Sequence, residues 1–344
     1  MTAHPARELL AALGSVATLV ALAGCASAAP ATGETDAASA LLPAGEGTTS
    51  YPLTLETPFG DTELEARPER IAIVTDATVD TDALFALGGT PVFAPSTVDR
   101  NPWLDDEQIA SIDTLWESSA GADISAEEVA ALEPDLIVNL AANTTFDQGR
   151  FDQLSAIAPV LYAETGELTW QEITTTLADT IDLGEAGAQA VAETEAVIQE
   201  AAEAHPEFEG KTAAHVVVYD EEWGAAYDST PGSDTATLFE MLSFTLPEAA
   251  EQFASDDVVS DELIGEIDAD FLLVSIFDEP SSEFFTTSQL YQQVPAVADG
   301  RVVINDVVDE DETNSFAWGL TQQSVLGLPW LIDTLAEYGS EALS

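Results

Sequence analysis

Basic residues are scarce in this 344-residue chain: 7 Lys and Arg stand against 64 Asp and Glu, a formal net charge of −57. A field of that sign repels phosphate backbones and argues against nucleic-acid binding. Cysteine occurs once, which excludes an intramolecular disulfide. Histidine occurs 3 times. His4 lies near the N-terminus, His205 precedes a proline and His215 opens an apolar run. Both later histidines read as structural, so a zinc or manganese site lacks its usual ligands. No G-x-S-x-G, S-x-x-K, G-x-x-x-x-G-K or G-x-G-x-x-G occurs, which removes the common signatures of nucleophilic catalysis and of phosphate or dinucleotide binding. Where acids are everywhere, two carboxylates close together carry no weight as a catalytic pair. No D-x-[DN]-x-[DN]-G loop concentrates them for calcium. The one long apolar run, Leu9 to Leu22, is too short to span a bilayer comfortably.

Hydrophobic residues make up 46% of the chain, enough for a substantial core. The acids are dispersed and read as a solvated shell. Arg7, the apolar run and Leu22-Ala23-Gly24-Cys25 have the order of a secretory signal. Small residues before a cysteine resemble the bacterial lipoprotein lipobox, which implies cleavage before Cys25 and acylation of its thiol. Residues 1–24 are then a signal peptide. Residues 25–50, rich in Ala, Ser, Thr and Gly, read as a lipidated start and flexible tether.

Ordered sequence is expected from Tyr51. Pro52 to Leu64 alternates around Gly60-Asp61 and predicts a hairpin. Ile71 to Val74 reads as a buried strand, Asp80 to Leu87 as a helix closed by Gly88-Gly89, and Pro91 to Ala94 as a second strand. Ser125 with Glu128 forms a capping-box pattern for a helix ending before Pro134, followed by a strand at Leu136 to Leu140. The order then returns. SAEEVAALEPDLIV (125–138) corresponds to SDELIGEIDADFLL (260–273), and Ile73 to Asp76 corresponds to Val217 to Asp220. The Leu-Phe pairs 84–85 and 238–239 correspond as well, with about ten extra residues between strand and helix in the second copy. This predicts an α/β fold of two similar lobes (51–184 and 206–344), each a mainly parallel sheet flanked by helices. The alanine-rich stretch 185–205, with Val191, Ile198 and Ala201 on one face, predicts a single long helix joining them.

Ligands of α/β units gather at the carboxyl ends of strands. Those loops carry Arg100, Asn101 and Trp103; Asn143, Phe146 and Arg150; Tyr219, Trp223 and Tyr227; Phe284; and Phe316 and Trp318. Aromatics mixed with a few polar groups suit a bulky, partly apolar ligand, although the same rings could fill the lobe cores.

Taken together, PLTLETPFGDTELEARPERIAIV (52–74), TDALFALGGTPV (81–92), ISAEEVAALEPDLIV (124–138), VVSDELIGEIDADFLLV (258–274) and VPAVADGRVVIND (294–306) resemble the iron–siderophore substrate-binding lipoproteins of bacterial ABC importers, the class with a long interlobe helix. The resemblance implies a non-catalytic, monomeric protein anchored to the outer face of the membrane. It would take a ferric siderophore into the interlobe cleft and deliver it to a permease, with no cofactor and with iron entering only as the complex. Among the strand-end residues, Arg100, Trp103, Asn143, Arg150, Tyr219, Trp223, Tyr227, Phe284 and Trp318 are expected to contact that ligand. Permease docking is implied for Asp82, where the family usually has Glu, and for Glu262. Scarce cleft bases favour a hydroxamate-like complex over a strongly anionic one. Haem or cobalamin on the same fold, a secreted carboxylate-dependent hydrolase and a lipoprotein that only contacts other proteins are the competing readings.

Overall fold

The computed structural model describes residues 40–118, 124–141, 146–253, 258–276, 282–306 and 314–344. All of them lie in one compact unit, Ala40–Ser344.

The hairpin forms as expected, β1 (Leu53–Leu55) against β2 (Thr62–Leu64), with Gly60 at φ 130° in its turn. Five strands follow: β3 (Ile71–Ile73), β4 (Phe93–Pro95), β5 (Thr114–Trp116), β6 (Leu136–Asn139) and β7 (Val160–Tyr162). They pair entirely in parallel in the order β5-β4-β3-β6-β7. The helices of this lobe are α1 (Val79–Ala86), α2 (Asp106–Ala110), α3 (Ala126–Ala131), α4 (Gln148–Ser155) and α5 (Trp170–Thr180). Apolar clusters on both faces bury β3, β6 and β7 throughout, as a parallel sheet requires. The caps follow the sequence. Asp105 with Gln108, and Thr169 with Glu172, form reciprocal capping boxes. Ser125 accepts from the Glu128 amide, the forward half of the box expected there. Gly88, at φ 73°, closes α1.

The long helix α6 (Gly184–Ala204) has 21 residues and spans about 30 Å. Its first turns lie on the first lobe, where Gly187 comes so close to α5 that an added Cβ would meet Ala178 at 2.4 Å. Its later turns lie on the second lobe: Thr194 donates to the Val325 carbonyl at 2.9 Å, and Ile198 enters that lobe's core.

In the second lobe, β8 (Ala213–Val218), β9 (Ala225–Tyr227), β10 (Phe271–Ile276) and β11 (Val302–Asn305) run in the order β11-β10-β8-β9. Only β9 is antiparallel. Helices α7 (Asp234–Met241), α8 (Glu283–Thr286), α9 (Pro295–Ala298), α10 (Ser315–Thr321) and α11 (Gly327–Ala342) cover it. The extra residues of the second repeat are now explained: they form the turn Asp220–Gly224 and β9, which are inserted between β8 and α7.

Two expectations are corrected. The counterpart of α3 is a 3-10 turn, Ile264–Ile267, rather than an α-helix. The tether expected over 25–50 is packed chain from Ala40. Leu42 is buried beneath α1, and Arg67 donates to the Pro43 carbonyl. The amides of Gly47, Thr48 and Thr49 donate to the Asp182 carboxylate at 2.7–2.8 Å. The Glu46 carboxylate accepts the first amides of α6, from Glu185 at 2.7 Å and Ala186 at 2.9 Å.

Candidate functional site

Strand order in the first sheet reverses between β3 and β6, which makes the crevice at their carboxyl ends the favoured ligand position. Asp80, at the start of α1, closes the base of that crevice. Its Oδ2 accepts from the Thr75 hydroxyl after β3 and from the Leu140 amide after β6 at 2.8 Å. Burial pushes its carboxyl up to about 6.

The turn Ser96–Arg100, which follows β4, carries the expected Arg100 and leads to Asn101 and Trp103. The opposing lobe meets this turn: Ser315, first residue of α10, donates its hydroxyl to the Arg100 carbonyl at 2.6 Å. One helical turn on, Trp318 is 38% exposed. The turn after β4 in the first lobe and the start of α10 in the second therefore meet at the Arg100 carbonyl.

The other described bases are engaged. Arg67 and Arg150 donate to main-chain carbonyls, Arg70 to a carbonyl and Asp113, Lys211 lies 3.7 Å from Asp270, and Arg301 lies 3.6 Å from Asp268 and Asp299. The Arg100 guanidinium alone has neither hydrogen bond nor ion pair among the described residues.

The remaining expected contacts divide. Tyr219 (38% exposed) and Trp223 (71% exposed) stand on the turn after β8, where the Asp220 carboxylate accepts the amides of Glu222 and Trp223. Phe284 is half-buried on α8, beside Phe285. Trp103 is half-buried, with its indole N–H turned inward to Asp82 at 3.0 Å and its ring 5.7 Å from that of Trp330. Arg150 ties α4 to the Ile124 carbonyl. Tyr227 is a correction: it is fully buried and stacked on Phe253 at 4.2 Å, so it belongs to the core. Asn143 and Cys25 lie outside the described residues.

Asp82 is the second correction. It is fully buried and presents nothing to a partner. Its carboxylate accepts from Trp103, from Asn101 at 3.4 Å and, across the lobe boundary, from the Ser324 hydroxyl at 2.5 Å. Burial pushes it up to about 7, against those three hydrogen bonds. Glu262 is exposed, as docking requires. The internal repeat places Glu127 at the position equivalent to Glu262, and Glu127 is exposed in the first turn of α3.

A further group went unnoticed in the sequence. His215 on β8 lies 2.9 Å from Ser275 on β10 and 2.9 Å from Asp228. Burial pushes Asp228 up, but His215 and the Thr235 hydroxyl outweigh it and hold the carboxyl below its usual range. Ser–His–Asp order invites a catalytic reading, yet Ser275 and His215 are wholly buried between strands, where no substrate reaches the hydroxyl. The group fastens β8 to β10. No group of three or more His, Cys, Asp or Glu side chains among the described residues gathers to hold a metal ion.

Comparison with known proteins gives a consistent result. A family described as periplasmic binding protein matches residues 71–306. A probable siderophore-binding lipoprotein of Bacillus subtilis, YfiY, is 27% identical over 266 residues, covering 71% of this chain and 77% of that protein. The ferric enterobactin-binding periplasmic protein FepB of Escherichia coli is 25% identical over 272 residues, covering 73% and 83%. The structure of PiaA from Streptococcus pneumoniae in complex with ferrichrome superposes with a TM-score of 0.64 at 22% identity, covering 84% and 98%.

Proposed function

Because this chain belongs to the periplasmic binding protein family, we propose that it is the extracytoplasmic binding component of an ABC importer and captures a ferric siderophore between the strand-end loops of its lobes. The observation that carries this reading is Arg100, whose main chain is bonded to the second lobe and whose guanidinium has no partner among the described residues. Exposed Trp223, Tyr219 and Trp318 supply the apolar surface that an organic iron chelate needs. The names of the relatives supply the ligand class.

Among the described residues Arg100 is the one base without a partner, and one such cation in a field of −57 matches a complex of low net charge. A ferric hydroxamate is favoured over a ferric tris-catecholate, whose three negative charges would meet a single arginine. Salt screens the distant acids beyond about 8 Å, but not groups within the cleft. Acylated Cys25 would hold the protein on the outer face of the membrane. Exposed Glu127 and Glu262, one in each lobe, would meet basic residues of the permease.

Tryptophan-quenching titration with ferrichrome, ferric enterobactin, haem and cobalamin tests the reading. Ferrichrome should bind, and Arg100→Ala should weaken it about ten- to a hundredfold, the effect of one charge-assisted hydrogen bond. Tighter binding of ferric enterobactin would overturn the charge argument, and selective binding of haem or cobalamin would replace the siderophore.

A further inference from the structure

We infer that Asp82 is a positioning residue for ligand capture: it clamps the turn that presents Arg100 and ties that turn to the opposing lobe. The inference rests on the proposed role of Arg100. Its basis is the pattern of bonds around four consecutive residues. Arg100 is held by its carbonyl, through Ser315 of the second lobe. Asn101 and Trp103 are held by their side chains, both through Asp82 of the first lobe. Pro102 restricts the backbone between them. The arginine side chain thus has no partner among the described residues, while the main chain carrying it is fixed from both lobes.

Asp82 also reaches the second lobe directly. The Ser324 hydroxyl donates to it and accepts from the Gly327 amide at the start of α11. The Trp103 ring continues the same seam, since a Cβ on Gly327 would meet it at 2.9 Å. One carboxylate therefore sets where the arginine turn stands relative to the lobe that brings Tyr219, Trp223 and Trp318. Apart from α6, this seam joins the lobes through buried polar bonds, and such bonds are direction-specific in a way that apolar contact is not.

The groups facing Asp82 are few. The turn offers Asn101 and Trp103, with Asp99 and Arg100 adjoining. The second lobe offers Ser324, while its Gln322 is engaged nearby, accepting from the Thr78 amide at 3.4 Å. On α1 itself, Asp80 is directed toward Thr75 and Leu140. No ion pair reaches Asp82 among the described residues. All three of its partners donate, so a proton on this carboxyl displaces a donor and loosens the clamp. With burial holding Asp82 near 7, the clamp tightens as pH rises through that value.

The experiment uses the mature protein and ferrichrome. Asp82→Asn and Ser324→Ala should each weaken binding about tenfold, the effect of losing one hydrogen bond to a charged group. Each should add little to Arg100→Ala, because they act through that residue. Wild-type affinity should fall as pH drops from 8 to 6, and the profile of Asp82→Asn should be flat. Without ligand, tryptophan emission should titrate near pH 7 in the wild type and not in Trp103→Phe or Asp82→Asn. Unchanged affinity in both Asp82→Asn and Ser324→Ala, or losses that add fully to that of Arg100→Ala, would overturn the inference while leaving the binding function intact. Absence of ferrichrome binding by the wild type, or full affinity in Arg100→Ala, would overturn the proposed site and this role with it.

Discussion

Asp80 offers a quantitative test of how the switch-point crevice is built. Its carboxylate is wholly buried and bonded to Thr75 and Leu140 through one oxygen, and the other oxygen has no hydrogen bond within ordinary geometry among the described residues. Burial raises it from 3.8 to about 6. At about 1.4 kcal/mol per pH unit, that rise corresponds to about 3 kcal/mol. The folded protein binds this proton more tightly than the unfolded chain does. The contribution is therefore fully present below pH 4, is lost as pH rises through about 6, and is constant above. Asp80→Asn removes the titration. It also adds a fixed cost for a buried amide N–H₂ that must find acceptors, and that cost does not vary with pH. The prediction therefore concerns the gap between variant and wild type, which should shift by about 2–2.5 kcal/mol in favour of the variant between pH 4 and 7.5. Urea unfolding across that range in 1 M NaCl measures it. That salt shortens the Debye length to about 3 Å, suppressing the collective repulsion of the exposed acids while leaving the buried one largely unscreened. Parallel stability curves, or a gap that moves the other way, would refute the reasoning.

Three further outcomes follow from particular residues. Leu42→Ala should destabilise the protein by about 2–5 kcal/mol in urea unfolding, since Leu42 is buried beneath α1 although it precedes the hairpin. Glu127→Lys with Glu262→Lys should abolish uptake of a ferric siderophore in cells while leaving its affinity in solution unchanged; a parallel loss of affinity would mean that these acids do not dock. Cys25→Ser should move the protein from the membrane to the soluble fraction, and an equally membrane-bound variant would exclude the anchor.

Much of the architecture is legible in local pattern. The hairpin follows from alternation around Gly60, the parallel sheet from strands and helices in turn, and α6 from an alanine-rich stretch without proline. The internal repeat went further. It located the insertion that became β9 and, once Asp82 proved buried, it identified Glu127 as the counterpart of Glu262. Where local reading fell short, the deciding contact was distant in sequence. Asp82 looked like an exposed first-turn acid favoured by the helix dipole. Its burial depends on Ser324, 242 residues away. Tyr227 looked like a strand-end aromatic, but Phe253 takes it into the core. Ile264–Ile267 matched the α3 pattern at its apolar positions, yet Gly265 lies where α3 has Ala130, weakening any longer helix. Residues 40–50 have no apolar period, and only the paired Leu41-Leu42 hints that they are packed.

The central claim is that Arg100, unpaired among the described residues and set between two lobes by buried polar contacts, takes a ferric siderophore of low charge. Direct titration of the mature wild-type protein and Arg100→Ala with ferrichrome, followed by tryptophan quenching, tests it most simply. The account predicts saturable one-to-one binding by the wild type and affinity lower by about ten- to a hundredfold in the variant, with unfolding stability unchanged because the Arg100 side chain has no partner to lose among the described residues. Equal affinity in the two proteins would contradict it.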